Sequence, residues 1–142
     1  MFRHRHSILY NTGVFFIEKA HSHFHAILPT AIPINQKYCI SRGKNILSKK
    51  YRAYKKTVQS IPTNFEPIPK KYRRKKLIKN ISVNITLYEK DNRRDVDATI
   101  KIILDCLNGK IWEDDSQIWE IYVRQLIDRE DPKVIIFAYE TI

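Results

Sequence analysis

Several acidic side chains and one lysine stand close together in the second half of a chain that is otherwise strongly basic. Asp95 and Asp97 are one residue apart, Lys101 follows four residues later, and Asp114 and Asp115 come next. Carboxylates packed together repel one another, so a fold that gathers them usually holds a cation. Asp95, Asp97 and one of Asp114 and Asp115 would suit Mg²⁺ and phosphodiester chemistry. Lys101 could bind the scissile phosphate or stabilise charge that develops during the reaction.

The same acids also have a structural interpretation. Aspartate is favoured at the start of a helix, where it accepts backbone N–H groups and faces the positive end of the dipole. Capping explains either Asp95 or Asp97, but two such residues, with arginines before them and an acidic pair after the helix, are harder to explain that way. Asp105 lies four residues after Lys101, which predicts an ion pair between neighbouring turns of one helix.

Positive charge is concentrated in the first part of the chain. The formal net charge is +11, and residues 1–80 hold 18 of the 26 Lys and Arg residues but only two of the 15 acids. A basic half beside a cation-binding site favours a polyanionic partner, and we prefer nucleic acid to the alternative of a basic face kept for solubility.

The first half of the chain is predicted to hold an extended stretch and a basic helix. Two prolines exclude a helix interior from residues 25–34. Residues 45–59 repeat apolar side chains at spacings of three and four, which predicts a helix capped by Asn45. Residues 60–69 contain three prolines and are predicted to be a loop. Residues 70–79 are rich in lysine and arginine and could form a phosphate-binding arm or a solvated loop.

The second half is predicted to be strand, helix, strand, strand. Residues 81–88 alternate apolar and polar side chains, as a half-buried strand does. Residues 97–107 are predicted to form a helix that is apolar almost all round and buried by its own sheet alone or also by a second subunit, and Gly109 is a natural stop. Residues 117–126 and 134–140 are predicted to be two strands joined as a hairpin.

Residues 1–24 lack periodicity and are predicted to be an extension of unclear order before a single domain over residues 25–142. His21, His23 and His25 alternate as metal ligands on a strand would, but exposed histidines are the favoured interpretation because no acid or cysteine completes a site nearby. The two cysteines form no disulfide framework, and the longest apolar run near the start is too short to span a bilayer. We expect a cytoplasmic protein.

The motifs after residue 92 resemble those of a known family, the RusA-type Holliday junction endodeoxyribonucleases of bacteria and their phages. The matching segments are R-R-D-V-D at 93–97, Lys101, D-C-L at 105–107 and W-E-D-D-S-Q at 112–117. A weaker match lies upstream, in Pro33, Asn35, Lys37 and Tyr38. The resemblance covers about residues 25–140, and the spacing of its motifs is specific.

This resemblance implies an α+β (mixed α/β) fold, with a mixed sheet, a central buried helix and an intertwined homodimer. It implies nicking of four-way (Holliday) junction DNA by phosphodiester hydrolysis in recombination and repair, with Mg²⁺ or Mn²⁺ as cofactor and a bacterial, phage or prophage origin. The catalytic, metal-binding carboxylates would be Asp95, Asp97 and Asp115, with Lys101 as the essential lysine and Asp114 as the neighbouring acid. A two-fold dimer suits a junction, which offers two equivalent strands.

Basic side chains beside the acidic motif, on the predicted helix and in the basic run are the predicted DNA contacts. They are Arg93, Arg94, Lys49, Lys50, Arg52, Lys55, Lys56, Lys70, Lys71, Arg73, Arg74, Lys75 and Lys76.

Ala98 departs from the family pattern, which commonly has Asn directly after the second aspartate of D-x-D. The departure removes a polar group beside the predicted metal. The alternative hypothesis is therefore a branched-DNA-binding protein whose catalysis is impaired, and a third is a nuclease that acts on flaps or single strands. A cleavage assay on a synthetic junction separates these hypotheses.

Overall fold

The computed structural model describes residues 8–10, 13–15, 23–62, 64–65 and 80–140, with side chains for 24–62 and 80–140. These residues form two helices and nine strands. They are β1 (Ile8–Tyr10), β2 (Gly13–Phe15), β3 (His23–Leu28), β4 (Tyr38–Ser41), β5 (Lys44–Leu47), α1 (Lys49–Ser60), β6 (Asn64–Phe65), β7 (Ile81–Glu89), α2 (Val96–Leu107), β8 (Ile118–Ile127) and β9 (Lys133–Glu140). The predicted basic run 70–79 lies outside the described residues.

A mixed five-stranded sheet in the order β6-β3-β9-β7-β8 forms the centre of the fold. Strands β7 and β8 are parallel and are connected through α2, whereas the other pairs are antiparallel. Buried side chains of α1, α2, β3, β7 and β9 join in one hydrophobic core. This is the small α+β domain that the resemblance implied. The hairpins β1–β2 and β4–β5 are separate from the sheet.

Strand β7 matches its prediction closely. Ile81, Val83, Ile85 and Leu87 are all fully or almost fully buried, because alternate residues of a strand point to one face and this face meets the core. The strand also receives a partner along both edges, with β9 on one side and β8 on the other. β7 is therefore the central support from which the chain enters α2.

The predicted hairpin between β8 and β9 is wrong, because β7 lies between these two strands. The strands themselves were predicted at nearly the observed bounds. A strand–helix–strand crossover returns β8 parallel to β7 on one side, and the following turn carries the chain past the end of β7 to its other side. The backbone N–H of Asp128 in this turn donates to the Glu89 carbonyl at 2.8 Å. Two strand spacings are about 10 Å, which the short turn can cross.

The start of α1 also differs from its prediction. Asn45 does not cap the helix, because it lies in β5 opposite Ile40 of β4. The cap is Ser48, whose hydroxyl accepts from the Tyr51 backbone N–H at 3.1 Å. The helical spacing correctly predicted that Tyr51 and the buried residues after it lie on one face of a helix. It could not show that the four residues before Ser48 pair with β4 across a hairpin turn.

Helix α2 was predicted within one residue of its bounds. Six of its side chains are buried in the subunit, among them Ile103 and Leu107. Its apolar surface is thus used by the subunit's own core and gives no independent indication of a dimer. The helix ends at Leu107 with Asn108 as its C-cap, and Gly109 follows with φ of 79°, a left-handed conformation that glycine adopts readily.

The predicted boundary between residues 24 and 25 stays a prediction, although β3 crosses it and Phe24 is fully buried. His23 and His25 belong to β3, and His21 lies outside the described residues. Among the helices of the described part, none is long and apolar enough to cross a membrane.

Candidate active site

One edge of α2 carries alternating charges. Asp97, Lys101 and Asp105 are four residues apart and therefore lie on one stripe of the helix. The Lys101 ammonium contacts Asp105 Oδ1 at 2.9 Å, which confirms the predicted ion pair. It also donates to Asp115 Oδ2 at 3.2 Å. Lys101 thus holds two carboxylates that are separated by the end of the helix and the loop behind it.

The neighbours Asp114 and Asp115 have different surroundings. Asp114 caps a short 3₁₀ turn over Asp115–Gln117, and its carboxylate accepts from the Ser116 backbone N–H at 2.8 Å. These hydrogen bonds lower the pKa of Asp114. The side chain of Asp115 instead faces Lys101. Asp114 therefore shapes the turn, while the Asp115 carboxylate is directed toward α2.

Buried Trp112 holds the loop that brings Asp115 to the helix. Its side chain is fully buried, and its indole N–H donates to Asn108 Oδ1 at 2.6 Å. The Gly109 backbone N–H donates to the Trp112 carbonyl at 2.7 Å. Because a large side chain anchors the loop in the core, the position of Asp115 is coupled to the end of α2.

Asp95 and Asp97 lie at the start of α2. Asp95 is the N-cap residue, yet only its backbone carbonyl serves the helix, by accepting from the Thr99 N–H at 3.2 Å and the Thr99 hydroxyl at 3.1 Å. Its carboxylate makes no capping hydrogen bond. Both acids are exposed, and the structure gives neither side chain a hydrogen bond or ion pair with another described residue. Capping therefore does not explain the pair.

Lys37 is the residue of this cluster that the sequence left unassigned. Its ammonium donates to Asp105 Oδ2 at 2.7 Å, and it also lies 5.2 Å from the Tyr38 ring centroid and 5.3 Å from that of Tyr51. Favourable electrostatics between a cation and an aromatic face add to the ion pair. The signal that could have found Lys37 is its place in the upstream segment that resembles the family.

Charge pairing sets the protonation states of this cluster. Burial by itself would raise the pKa of Asp105, but the ammoniums of Lys37 and Lys101 outweigh that effect and hold the pKa below its usual value. The hydrogen bond from Lys37 to Asp105 raises the pKa of that lysine. Bonds to Asp105 and Asp115 raise the pKa of Lys101 in the same way. Both lysines are therefore cations and Asp105 is an anion at neutral pH.

The two arginines before the acidic motif point in different directions. Arg93 is largely exposed and pairs with Asp91 at 3.3 Å. Arg94 lies 3.9 Å from the buried Glu89 carboxylate and donates to the Ala31 carbonyl. Burial raises the pKa of Glu89, partly offset by Arg94. Arg94 thus connects the end of β7 to the loop after β3, and Arg93 is the one of the two whose side chain lies in solvent.

The predicted DNA contacts on α1 form one exposed basic face. Lys49, Lys50, Arg52 and Lys56 are exposed and Lys55 is partly exposed. The opposite face of α1 is buried through Tyr51, Tyr54 and Val58. The predicted contacts Lys70, Lys71, Arg73, Arg74, Lys75 and Lys76 lie outside the described residues.

The chemistry of the exposed acids fits a hard divalent cation, which prefers oxygen ligands. Within the described part of the chain, no three His, Cys, Asp or Glu side chains are arranged as a complete metal site. Lys101 instead neutralises Asp115. Asp95 and Asp97 are therefore the exposed acids near this cluster that pair with no cationic side chain of the described residues.

The described residues thus form a small α+β domain that carries a lysine–carboxylate cluster at one edge of α2. The family model described as endodeoxyribonuclease RusA matches residues 29–138. The chain belongs to this family, as its motifs indicated, and the family consists of endodeoxyribonucleases that act on Holliday junctions. No curated protein matches the chain.

Proposed function

We propose that this chain is a divalent-metal-dependent endodeoxyribonuclease that nicks four-way junction DNA by phosphodiester hydrolysis during recombination and repair. Membership of the RusA family supports the substrate class. The proposed cleavage chemistry is supported by the position of Lys101. Its ammonium lies 3.2 Å from Asp115 Oδ2, and Asp97, whose carboxylate pairs with no described residue, is one helical turn away. A fixed cation between oxygen ligands suits the binding of a phosphate group beside a metal.

Asp95, Asp97 and Asp115 are the proposed ligands of Mg²⁺, or of Mn²⁺. The bound cation would act as a Lewis acid on the phosphodiester. When DNA binds, Lys101 exchanges its contact with Asp115 for a phosphate oxygen, so that the Asp115 carboxylate becomes free. Lys101 then stabilises negative charge that develops on the phosphate. The proposed metal dependence is supported by Asp95 and Asp97, two exposed acids that pair with no cationic side chain of the described residues.

The exposed face of α1 and Arg93 are proposed to bind the DNA arms. They would do so mainly through phosphates, because lysine and arginine neutralise backbone charge without reading sequence. The guanidinium of Arg94 lies beside Glu89 and the Ala31 carbonyl. Arg94 is therefore proposed to support this DNA-binding surface. The lysines and arginines of the basic run over residues 70–79 are proposed to contact DNA phosphates as well.

A homodimer is the proposed assembly, with one site per subunit. β8 lies at an edge of the sheet in the described part of the chain. Trp119 on this strand is 70% exposed and Tyr122 is 56% exposed. Large exposed apolar side chains on an edge strand favour a protein partner. Light scattering of the purified chain should give the mass of two subunits, and a monomer at micromolar concentration would overturn this part of the proposal.

The test of the function is cleavage of a synthetic four-way junction. The parent chain should cleave with Mg²⁺ or Mn²⁺ and not with EDTA. Asp97→Asn should retain junction binding but cleave about 100- to 1,000-fold more slowly, because a metal ligand is lost. Asp131→Asn, which changes an exposed aspartate in the turn after β8, is the matched control and should cleave at the parental rate.

The alternative function is junction binding with impaired catalysis. The observation in its favour is Ala98, which has no amide to offer beside Asp97. Tight binding by the parent chain without cleavage in either metal would select this alternative. Ala98→Asn provides the direct comparison, because it restores the group that the family commonly has at this position.

A further inference from the structure

The hairpin formed by β4 and β5 is the most exposed ordered element of the described chain. Four residue pairs join the two strands, from Tyr38 opposite Leu47 to Ser41 opposite Lys44. All eight strand residues are exposed. The turn between them has positive φ at Arg42 and Gly43, 50° and 72°, as two-residue hairpin turns of the tight type require. The hairpin is therefore regular but stands apart from the sheet.

One face of this hairpin is largely apolar and its tip is cationic. Residues paired across antiparallel strands share a face, so Tyr38 and Ile40 lie with their partners Leu47 and Asn45. The three apolar side chains of this face, Tyr38, Ile40 and Leu47, have exposures of 51%, 80% and 37%. Arg42 and Lys44 at the tip form no ion pair with any residue that the structure describes. The sequence has no acid between Glu18 and Glu66. This segment therefore holds no acid of its own that could offset the charge at the tip.

The base of the hairpin lies directly beside the candidate active site. Lys37, the residue before β4, contacts Asp105, which in turn contacts Lys101. The base is closed by Ser48, whose backbone N–H donates to the Lys37 carbonyl at 2.9 Å and whose hydroxyl donates to the Gln36 carbonyl at 2.5 Å. The Lys37–Asp105 ion pair joins the base of the hairpin to α2, and the Ser48 contacts join it to the start of α1. A group bound at the base of the hairpin therefore lies near Lys101.

We propose that this hairpin is a wedge that enters the branch point of the junction. Ile40 would contact bases that lose their stacking partner there, and Arg42 and Lys44 would contact the surrounding phosphates. DNA-bending proteins insert apolar side chains such as isoleucine between base steps in the same way. The inference rests on the proposed function and adds how the branch is recognised.

The charge of the hairpin favours DNA over a second copy of the chain as its partner. In a two-fold contact the same surface meets itself, which would bring the cationic tips and the basic faces of α1 toward each other. Like charges oppose that arrangement, whereas phosphates neutralise it. The apolar face and the tip therefore fit a polyanion with exposed apolar bases.

The test uses a junction with 2-aminopurine at the branch point, whose fluorescence rises when the base unstacks. Binding is measured in EDTA, so that no strand is cut. The parent chain should raise the fluorescence, and Ile40→Ala should lose at least half of the rise. Ile27→Ala is the matched control, since Ile27 is 62% exposed but lies on β3, and it should behave as the parent does.

A second variant tests the cationic tip of the hairpin. Arg42→Ala with Lys44→Ala should weaken junction binding about tenfold and lower the salt dependence, because each phosphate contact adds close to one unit of slope. Lys90→Ala with Arg129→Ala removes two exposed basic residues elsewhere and should change binding less than threefold. Circular dichroism of each variant checks that the fold is kept.

The outcomes separate the wedge from the function on which it rests. A parental fluorescence rise in Ile40→Ala overturns the wedge even if the junction is still cleaved. A change in the mass of Ile40→Ala measured by light scattering overturns it too, because the hairpin would then contact a second copy. If the parent chain neither binds nor cleaves the junction, the proposed function itself has failed.

Discussion

Lys37 and Asp105 are 68 positions apart in the chain, yet the Lys37 ammonium donates to Asp105 Oδ2 over 2.7 Å. The other oxygen of the same carboxylate contacts Lys101, and Lys101 contacts Asp115. One partly buried carboxylate therefore connects the segment before the β4–β5 hairpin to the lysine of the candidate site. Asp105 thus contacts both lysines of the cluster, and Lys101 is the one of the two that also contacts Asp115.

Asp105→Asn keeps the side-chain size but removes the charge that Lys37 and Lys101 share. We expect the free energy of unfolding to fall by about 2 kcal/mol, as for loss of a hydrogen bond to a charged group. Cleavage should slow about 10- to 100-fold, because a residue that orients a functional group is lost, while junction affinity stays nearly constant. Urea denaturation, single-turnover cleavage and a binding titration measure the three quantities.

The control for this variant is Asp131→Asn. Asp131 also pairs with a lysine, Lys133, at 2.5 Å, but its side chain is 69% exposed. Exposed pairs contribute less than about 1 kcal/mol, so the control should change neither stability nor cleavage appreciably. Equal effects of the two substitutions would show that Asp105 has no special position.

Lys101→Met retains much of the side chain's length without its charge. We expect cleavage to fall about 100- to 1,000-fold, because the ammonium that stabilises charge on the phosphate is absent. Junction binding should weaken only slightly, since one of many basic contacts is removed. Rates measured under single-turnover conditions separate the chemical step from binding. Retention of cleavage within twofold of the parent would remove Lys101 from the site.

Glu89 makes the stability of the domain depend on pH. Burial raises its pKa in the folded state above the usual 4.5, so the folded chain binds more protons than the unfolded chain in this window. The contribution of Glu89 to stability is therefore largest below pH 4.5 and is lost as pH rises through the folded pKa. Glu89→Gln should remove this loss, so the variant gains stability relative to the parent as pH rises.

The measurement for Glu89 is urea denaturation of parent and variant at several pH values between 4 and 8. Glu130→Gln, an exposed glutamate in the turn before β9, is the control and should show a constant difference from the parent. A constant difference for Glu89→Gln as well would mean that the carboxyl titrates alike in both states.

Lys110 holds the end of α1. Its ammonium donates to the carbonyls of Val58, Gln59 and Ile61 at 3.0, 2.5 and 2.7 Å. A cation at this end also interacts favourably with the negative pole of the helix dipole. Lys110→Met should lower the free energy of unfolding by about 1–2 kcal/mol, whereas Lys90→Met, which changes an exposed lysine, should have no measurable effect. Thermal and urea unfolding check both variants.

Elements that depend on neighbouring residues could be predicted from the sequence. The alternation of Ile81, Val83, Ile85 and Leu87 predicted β7, because a strand buries every second side chain. Helical spacing predicted α2 and its ion pair Lys101–Asp105, because residues four apart are neighbours on the surface of a helix. The start of α1 was missed where a local signal was ambiguous, since Asn45 suits both a helix cap and a strand residue beside a tight turn.

Relationships between distant segments were decided only by the tertiary structure. Nothing local distinguishes a β8–β9 hairpin from two strands separated by β7, because the choice depends on how the crossover through α2 returns to the sheet. Packing of the loop around Trp112 likewise separates Asp114, which caps a turn, from Asp115, which faces Lys101. The residue types and their spacing in the sequence thus determined which side chains were candidates for chemistry. Long-range packing decided which of them meet, because contacts across many residues are set by topology and not by periodicity.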